Sequence, residues 1–325
     1  MEQQQTQLKI PIRTANERIA AGLLQPDLNS LLGDVWQTGE LATFFGGTGT
    51  GKSILGVQIA NDLSRGESID NEYLKNECSP QVVLYLDFEL SDKQFQTRYT
   101  SDDETKSTYQ FSDNLKFMNI SFGEIYDPKV NTTETIFTLI NEAINESKAR
   151  ILIIDNITAL SSQDNSDGNS AMEIMAYLDK LKRNCSISIL VIAHTPKKNK
   201  YSPIDIGSLA GSSKIANFSD CVFAIGQSIK SSEYRYLIQT KFSRSKKAAF
   251  DTSNVLTLEI LKESNFIKFQ VKGTTIEKEH LQPDGDELKL QAISLKNSKH
   301  MTVRAIADQL NVSKSTVSLW TKNTP

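Results

Sequence analysis

Gly46-Gly47-Thr48-Gly49-Thr50-Gly51-Lys52-Ser53 reads G-x-x-x-x-G-K-[ST], and this stretch decides how the rest of the chain is understood. Glycines let backbone N–H groups curl around phosphate oxygens. Lys52 adds a point charge at the β- and γ-phosphates, and Ser53 offers a hydroxyl to Mg²⁺. Upstream, Leu41–Phe45 reads as a buried strand. Downstream, Ile54, Leu55, Val57, Ile59, Ala60 and Leu63 recur at helical spacing over Ser53–Ser64. Strand, glycine loop and helix in that order aim a helix N-terminus at an anion. A glycine-rich turn that holds nothing is the bland alternative, and the agreeing flanks argue against it. The implied ligands are ATP and Mg²⁺.

Working outward, strands and helices alternate. Val82–Phe88, Lys116–Ile120, Ile151–Asp155 and Ile187–His194 read as strands, with helices over about Glu134–Ala149 and Ser170–Asn184. That βα rhythm predicts a mostly parallel sheet covered by helices. After Cys221 the rhythm changes. Cys221–Gly226, Tyr234–Phe242, Val255–Leu261 and Phe266–Val271 read as successive strands, an antiparallel extension. Thr97–Asn114 and Thr195–Ser212 read as long loops, the second carrying Lys197, Lys198 and Lys200. At the N-terminus, Thr14-Ala-Asn-Glu17 fits a capping box opening a helix through Leu24.

The strand ends carry the polar groups such a site needs. Asp155 closes an apolar strand about a hundred residues after the P-loop, where an aspartate holds Mg²⁺ through water. The alternative is an ordinary turn aspartate. Asp87 and Glu89 stand at another strand end, where open α/β sheets place ligands. Glu89 is the candidate base that orients the attacking water, against a solvated or capping acid. His194 ends a third strand and is placed to sense the γ-phosphate, against a histidine merely satisfied at a strand end. Lys241 and Arg244 are candidate fingers for a neighbour's γ-phosphate, against a basic hairpin edge.

The tail holds a second signal. Val303, Ile306, Ala307 and Leu310 share one helical face, a turn follows at Asn311-Val-Ser, and Val317 and Trp320 point inward from the next helix. This pattern predicts a helix-turn-helix that binds duplex DNA. Lys314, Ser315, Thr316 and Ser318 would face bases or phosphates and Ser313 would cap, the alternative being a protein-docking module. Residues 286–325 carry six Lys/Arg against three Asp/Glu, so the tail is +3 within a chain of net charge −3. The boundaries read as 1–30 for an N-terminal extension, 31–281 for the nucleotide-binding unit, and 282–325 for linker and helix-turn-helix.

Composition excludes other classes. No apolar run approaches the roughly 20 residues that span a bilayer. Met1–Gln7 lacks the parts of a signal peptide. Cys78, Cys185 and Cys221 are widely spaced and read as reduced thiols, which together suggest a cytoplasmic protein.

Leu32-Gly-Asp-Val-Trp-Gln-Thr-Gly-Glu before the P-loop, Leu86-Asp-Phe-Glu-Leu-Ser-Asp, Ile153-Ile-Asp-Asn-Ile, His194-Thr-Pro-Lys and Gly211-Ser-Ser-Lys-Ile-Ala-Asn-Phe-Ser-Asp220 occur in an order that resembles RecA-fold ATPases. The similarity is greatest to RepA-like plasmid helicases, with KaiC, RadA and DnaB-type proteins further off, and covers about residues 15–272. It implies a RecA-like core. Lys52 and Ser53 match the ATP and Mg²⁺ residues, Glu89 the catalytic glutamate, Asp155 the second acidic motif and His194 the γ-phosphate sensor. The loop after His194 matches one that contacts single-stranded DNA in a ring's channel, and Lys241 and Arg244 fall in the region of the trans-acting finger. Their Lys-x-x-Arg spacing departs from the Lys-x-Arg of DnaB-type proteins, and the helix-turn-helix is an addition. The implied assembly is a homo-hexamer. A DNA-dependent helicase or translocase of a plasmid, phage or integrated element is the leading expectation. An ATP-switched DNA-binding regulator and a RadA- or RecA-like recombinase are the alternatives.

Overall fold

The computed structural model describes residues 12–121, 132–157, 169–195, 200–209, 212–243, 249–283, 285–310 and 312–322. Lys197, Lys198 and Arg244 lie outside the described residues. The centre is β3 (Leu41–Gly46), which pairs in parallel with β7 (Ser188–His194) on one side and β8 (Cys221–Gln227) on the other. Beyond β7 come β6 (Ile151–Asp155), β4 (Val83–Asp87) and β5 (Leu115–Asn119), all parallel. Beyond β8 the sheet turns antiparallel through β9 (Tyr234–Lys241), β10 (Val255–Glu263) and β11 (Phe266–Thr275). The 9-stranded order is β11-β10-β9-β8-β3-β7-β6-β4-β5. This is the α/β architecture expected, with its parallel core and antiparallel extension.

Apart from the edge strand β5, where Lys116, Phe117 and Asn119 are exposed, both faces of the parallel part are buried, which explains its nearly unbroken apolar strands. Alternation divides them. Phe44, Tyr85 and Ile153 face α2 (Lys52–Arg65), whereas Phe45, Leu86 and Ile154 face α4 (Thr132–Ser147) and α5 (Asn169–Cys185). Each fully buried Leu, Ile or Phe contributes about 1.5–3 kcal/mol. Helix α2 is also tied to β11. Gln58 donates to the Phe269 carbonyl at 3.0 Å and accepts from the Phe269 N–H at 2.7 Å.

Several elements differ from the sequence expectation. A two-stranded ribbon, β1 (Ser30–Leu32) with β2 (Trp36–Gln37), precedes the core. Helix α3 (Asp92–Arg98) ends where the Thr97–Asn114 loop was expected to begin, and α6 (Ser212–Phe218) starts where the second loop was to end. The linker expected at the start of 282–325 is short, because α7 (Gly285–Lys299) begins three residues after Gln282. The tail is accordingly three helices, α7 with α8 (Val303–Leu310) and α9 (Lys314–Thr321), around Ala292, Ile306, Ala307 and Val317. At the N-terminus, Thr14 and Glu17 form the capping box of α1 (Ala15–Leu23), which buries none of its residues.

The segment entering the tail is stitched to the core. The buried Glu277 accepts from the Ile204 N–H and the Tyr236 hydroxyl, both at 3.1 Å, and the Gln282 N–H donates to the Tyr201 carbonyl at 3.1 Å. His280 is fully buried, with Thr275 Oγ1 2.7 Å from Nε2 and Ser228 Oγ 2.9 Å from Nδ1. Burial depresses its pKa to about 4, against 6.5 for the free side chain. The unfolded chain therefore takes up this proton first as pH falls. The stability this site contributes is present above pH 6.5 and is lost towards pH 4, about 3 kcal/mol in all. Denaturant unfolding across pH 7 to 4 should show a steeper loss for the native chain than for His280→Asn. Parallel curves would show that His280 does not carry it.

Candidate active site

The carboxyl ends of β3, β7, β6 and β4 lie side by side. Gly46 stands opposite His194, and Asp155 opposite Asp87, in the strand registers. The P-loop thus leaves the sheet beside three strand ends that each deliver a polar group.

The loop is shaped for close backbone approach. A Cβ on Gly46 would stand 2.6 Å from the Ile225 carbonyl oxygen, and one on Gly51 would stand 2.6 Å from Phe269 Cζ. Gly51 and Gly49 adopt φ of +95° and +75°, a region glycine enters without steric cost. Gly47 is half-buried, Thr48 exposed, and the buried Thr50 donates its hydroxyl to the Gly47 carbonyl at 2.9 Å. Lys52, also buried, donates from Nζ to the carbonyls of Gly46 at 3.0 Å and Gly47 at 2.9 Å. Burial lowers its pKa, and the carboxylates of Asp155 and Glu89 oppose that shift.

Asp155 accepts hydrogen bonds from Ser53 and from the Tyr85 hydroxyl, the latter at 2.8 Å. Its burial pushes the pKa up to about 6, opposed by those two bonds and assisted by Glu89 and Asp87. The hydroxyl–carboxylate pair suits a Mg²⁺ ion that keeps several waters. Among the described residues there is no cage of three or more His, Cys, Asp or Glu side chains, so the P-loop hydroxyl, the aspartate and phosphate oxygens are the donor set that fits.

Glu89 lies within hydrogen-bond reach of two groups. His194 Nε2 is 3.1 Å from its Oε1, and the Asn156 amide donates to the same oxygen. Asn156 Nδ2 is also 3.1 Å from His194 Nε2. The His194 bond is the main cause that holds Glu89 below the ordinary carboxylate range, with Asn156 and Lys52 adding to it. Asp87 is differently employed. Its Oδ1 accepts from the N–H groups of Glu89 at 2.9 Å and Leu90 at 3.1 Å, so it shapes the turn that presents Glu89.

Lys241, the other finger candidate, is engaged within its own chain. It stands opposite Val222 in β8, at the end of the sheet away from its own P-loop, and its ammonium bonds the carbonyls of Ala216 and Ser219 at the end of α6. A lysine there satisfies C-terminal carbonyls. Within one chain the ammonium is thus bonded to helix-end carbonyls, and its distance from its own P-loop is compatible with a role at a neighbour's phosphate. Lys200 is exposed on the segment after β7. In the tail, Ser313 caps α9 by accepting from the Thr316 N–H at 3.1 Å, Lys314, Ser315 and Ser318 are exposed, and Thr316 is half-buried. Asn156, Tyr85 and Arg235 are site residues that the sequence did not single out. Asn156 had a signal, as the residue directly after a strand-ending aspartate.

A family model described as "AAA domain" matches residues 7–200, the span that carries the P-loop, Glu89, Asp155 and His194. The chain belongs to the AAA domain family. Membership makes it a P-loop ATPase, with nucleotide binding as its core property. No curated protein sequence matched. Among solved structures, a KaiC-like protein from the hyperthermophilic archaeon Pyrococcus horikoshii OT3 is similar, with 14% identity and a TM-score of 0.45. That alignment covers 72% of this AAA-family chain and 90% of the archaeal one. No helix among the described residues is long and apolar enough to cross a membrane.

Proposed function

We propose that this ATPase is a DNA-stimulated motor of the helicase or translocase kind that assembles as a hexameric ring. The observation that carries the reading is Glu89, an ionised carboxylate held by His194 and Asn156 beside Lys52 and Asp155. A triphosphate with Mg²⁺ supplies the reacting phosphoryl group and the charge neutralisation at this site. Gly46 to Gly51 offer backbone N–H groups to it, Lys52 balances its charge, and Ser53 with Asp155 orients its cation. Glu89 accepts the proton of the attacking water. His194 reports the state of the site, because its strand leads directly into the segment bearing Lys197, Lys198 and Lys200. Basic residues on that segment suit a single-stranded backbone.

Support for assembly comes from α1 and its cap, where Ile19, Leu23 and Leu24 are 63%, 81% and 89% exposed, apolar surface that a second copy could cover. Lys241 and Arg244 are the finger candidates for a neighbour's phosphate. Residues 31–281 form the motor unit and 282–325 a duplex-binding tail, whose exposed Lys314, Ser315 and Ser318 head α9. Such a tail directs a motor to a particular duplex and raises its local concentration there. A plasmid, phage or integrated element that must be copied or mobilised is the setting this combination suits.

Ending the chain after Gln282 should weaken duplex binding at least about tenfold while basal ATPase stays within about twofold. Loss of both activities would give the tail a structural role. The functional test is ATP hydrolysis without DNA, with single-stranded DNA and with duplex, alongside particle mass. Single-strand stimulation in a hexamer-sized particle supports the motor. Negligible turnover in every condition, with duplex binding intact, would make the chain an ATP-switched DNA-binding regulator.

A further inference from the structure

Arg235 reaches the P-loop from the far side of the fold. It pairs with Gln227 in β8, two residues past Ile225, and Ile225 lies opposite Gly46. The antiparallel extension therefore returns β9 to the end of the sheet that bears the P-loop. Side chains alternate along a strand, so Tyr236 points to the opposite face and meets Glu277. Arg235 itself is 8% exposed. Its Nε donates to the Thr50 carbonyl at 3.0 Å and its Nη2 to the Gly49 carbonyl at 3.5 Å. Its Nη1 donates to the carbonyls of Ser232 at 2.6 Å and Tyr234 at 2.8 Å, which anchors the guanidinium to its own hairpin turn.

A trans peptide is planar, with its C=O and N–H on opposite sides. A cation that grips the carbonyls of Gly49 and Thr50 therefore turns the N–H groups of Thr50 and Gly51 away from itself. Both amides sit in the middle of the loop whose N–H groups would line a phosphate; the Gly51 N–H faces that space, and the Thr50 N–H makes only a long 3.4 Å contact with the Gly47 carbonyl. The grip also polarises both peptides, which strengthens their N–H groups as donors. Only a planar, multidonor group serves all four carbonyls together; the single ammonium of a lysine does not.

We propose that Arg235 is a positioning residue for phosphate binding, which presets the P-loop by holding the carbonyls of Gly49 and Thr50. The inference rests on the P-loop being the nucleotide site. Because it concerns phosphates and not the base, it predicts equal losses for a fluorescent ATP analogue and for inorganic tripolyphosphate.

The test is titration of both probes into the full chain and into Arg235→Ala and Arg235→Lys, with the melting temperature of each nucleotide-free protein. The expected result is a loss of about 10- to 100-fold in affinity for both probes in Arg235→Ala, with a smaller recovery than the retained charge alone would give in Arg235→Lys. In steady state KM should rise by more than kcat falls. A folded Arg235→Ala that binds both probes within twofold of the unsubstituted chain overturns the inference. So does a variant that melts earlier yet binds normally while folded. If Arg235→Ala fails to fold, Arg235→Lys decides: wild-type affinity overturns the inference and a loss shared by both probes supports it. Failure of the unsubstituted chain to bind either probe would instead overturn the P-loop reading on which the inference stands.

Discussion

Lys52→Ala is expected to weaken ATP binding at least about 100-fold and to remove hydrolysis, since a buried charge-assisted contact is lost with nothing to replace it. Its ammonium lies within the loop, on the carbonyls of Gly46 and Gly47. It is also the cation that faces the carboxylates of Asp155 and Glu89. Without it, a triphosphate would enter a site that holds two carboxylates and no compensating lysine. The fold should tolerate the change, because the core clusters lie beneath the loop. Titration of a fluorescent ATP analogue, with melting temperature as the control, reads the effect. Full affinity in a folded variant would remove Lys52 from the phosphate site.

The second large effect is on the chemical step. Glu89→Gln should bind ATP and hydrolyse it about 10²- to 10⁴-fold more slowly, the usual range for loss of a positioned base. The amide keeps the size of the side chain and the contact with His194 while it loses the basic oxygen. Asp87 offers no substitute. It is 5% exposed, and its Oδ1 is held by the N–H groups of Glu89 and Leu90. The depressed Glu89 pKa means that this base is already ionised at neutral pH, and its own contribution falls only below the normal carboxylate range; a loss of rate nearer pH 6 belongs to Asp155, whose pKa burial pushes up to about 6. Turnover equal to wild type would place the base elsewhere.

The parallel core was legible because its strands, the edge strand β5 excepted, are buried on both faces and so appear as short, continuous apolar runs between turns. Helices α2, α4 and α5 showed through their apolar spacing. The seven-residue helices α3 and α6 are too short for a periodic signal, although Ser91 and Gln94 form a capping box that marks the start of α3. Helix α7 escaped for a different reason. Leu288 and Ala292 are buried while Leu290 is 67% exposed, so its apolar residues do not fall on one stripe. In the site, Lys52, Ser53, Asp155, Glu89 and His194 announced themselves as a motif or as polar ends of apolar strands. Arg235 carried no such mark. It is 185 residues from Thr50 in the sequence, and only the antiparallel return of β9 brings the two together. The bonds of Lys241 to the helix-end carbonyls were likewise invisible in the sequence, because α6 and β9 meet only in the fold.

The bond from Gln282 to Tyr201 sets the length of a leash. Three peptide links separate Gln282 from Gly285, where α7 begins, so their Cα atoms can never stand more than about 11 Å apart. On the proposed reading, a duplex gripped by the tail would therefore be held close to the nucleotide-binding unit rather than fished for at a distance. Lengthening that tether with glycine and serine would leave both activities whole and change only how far apart on one DNA molecule they can act.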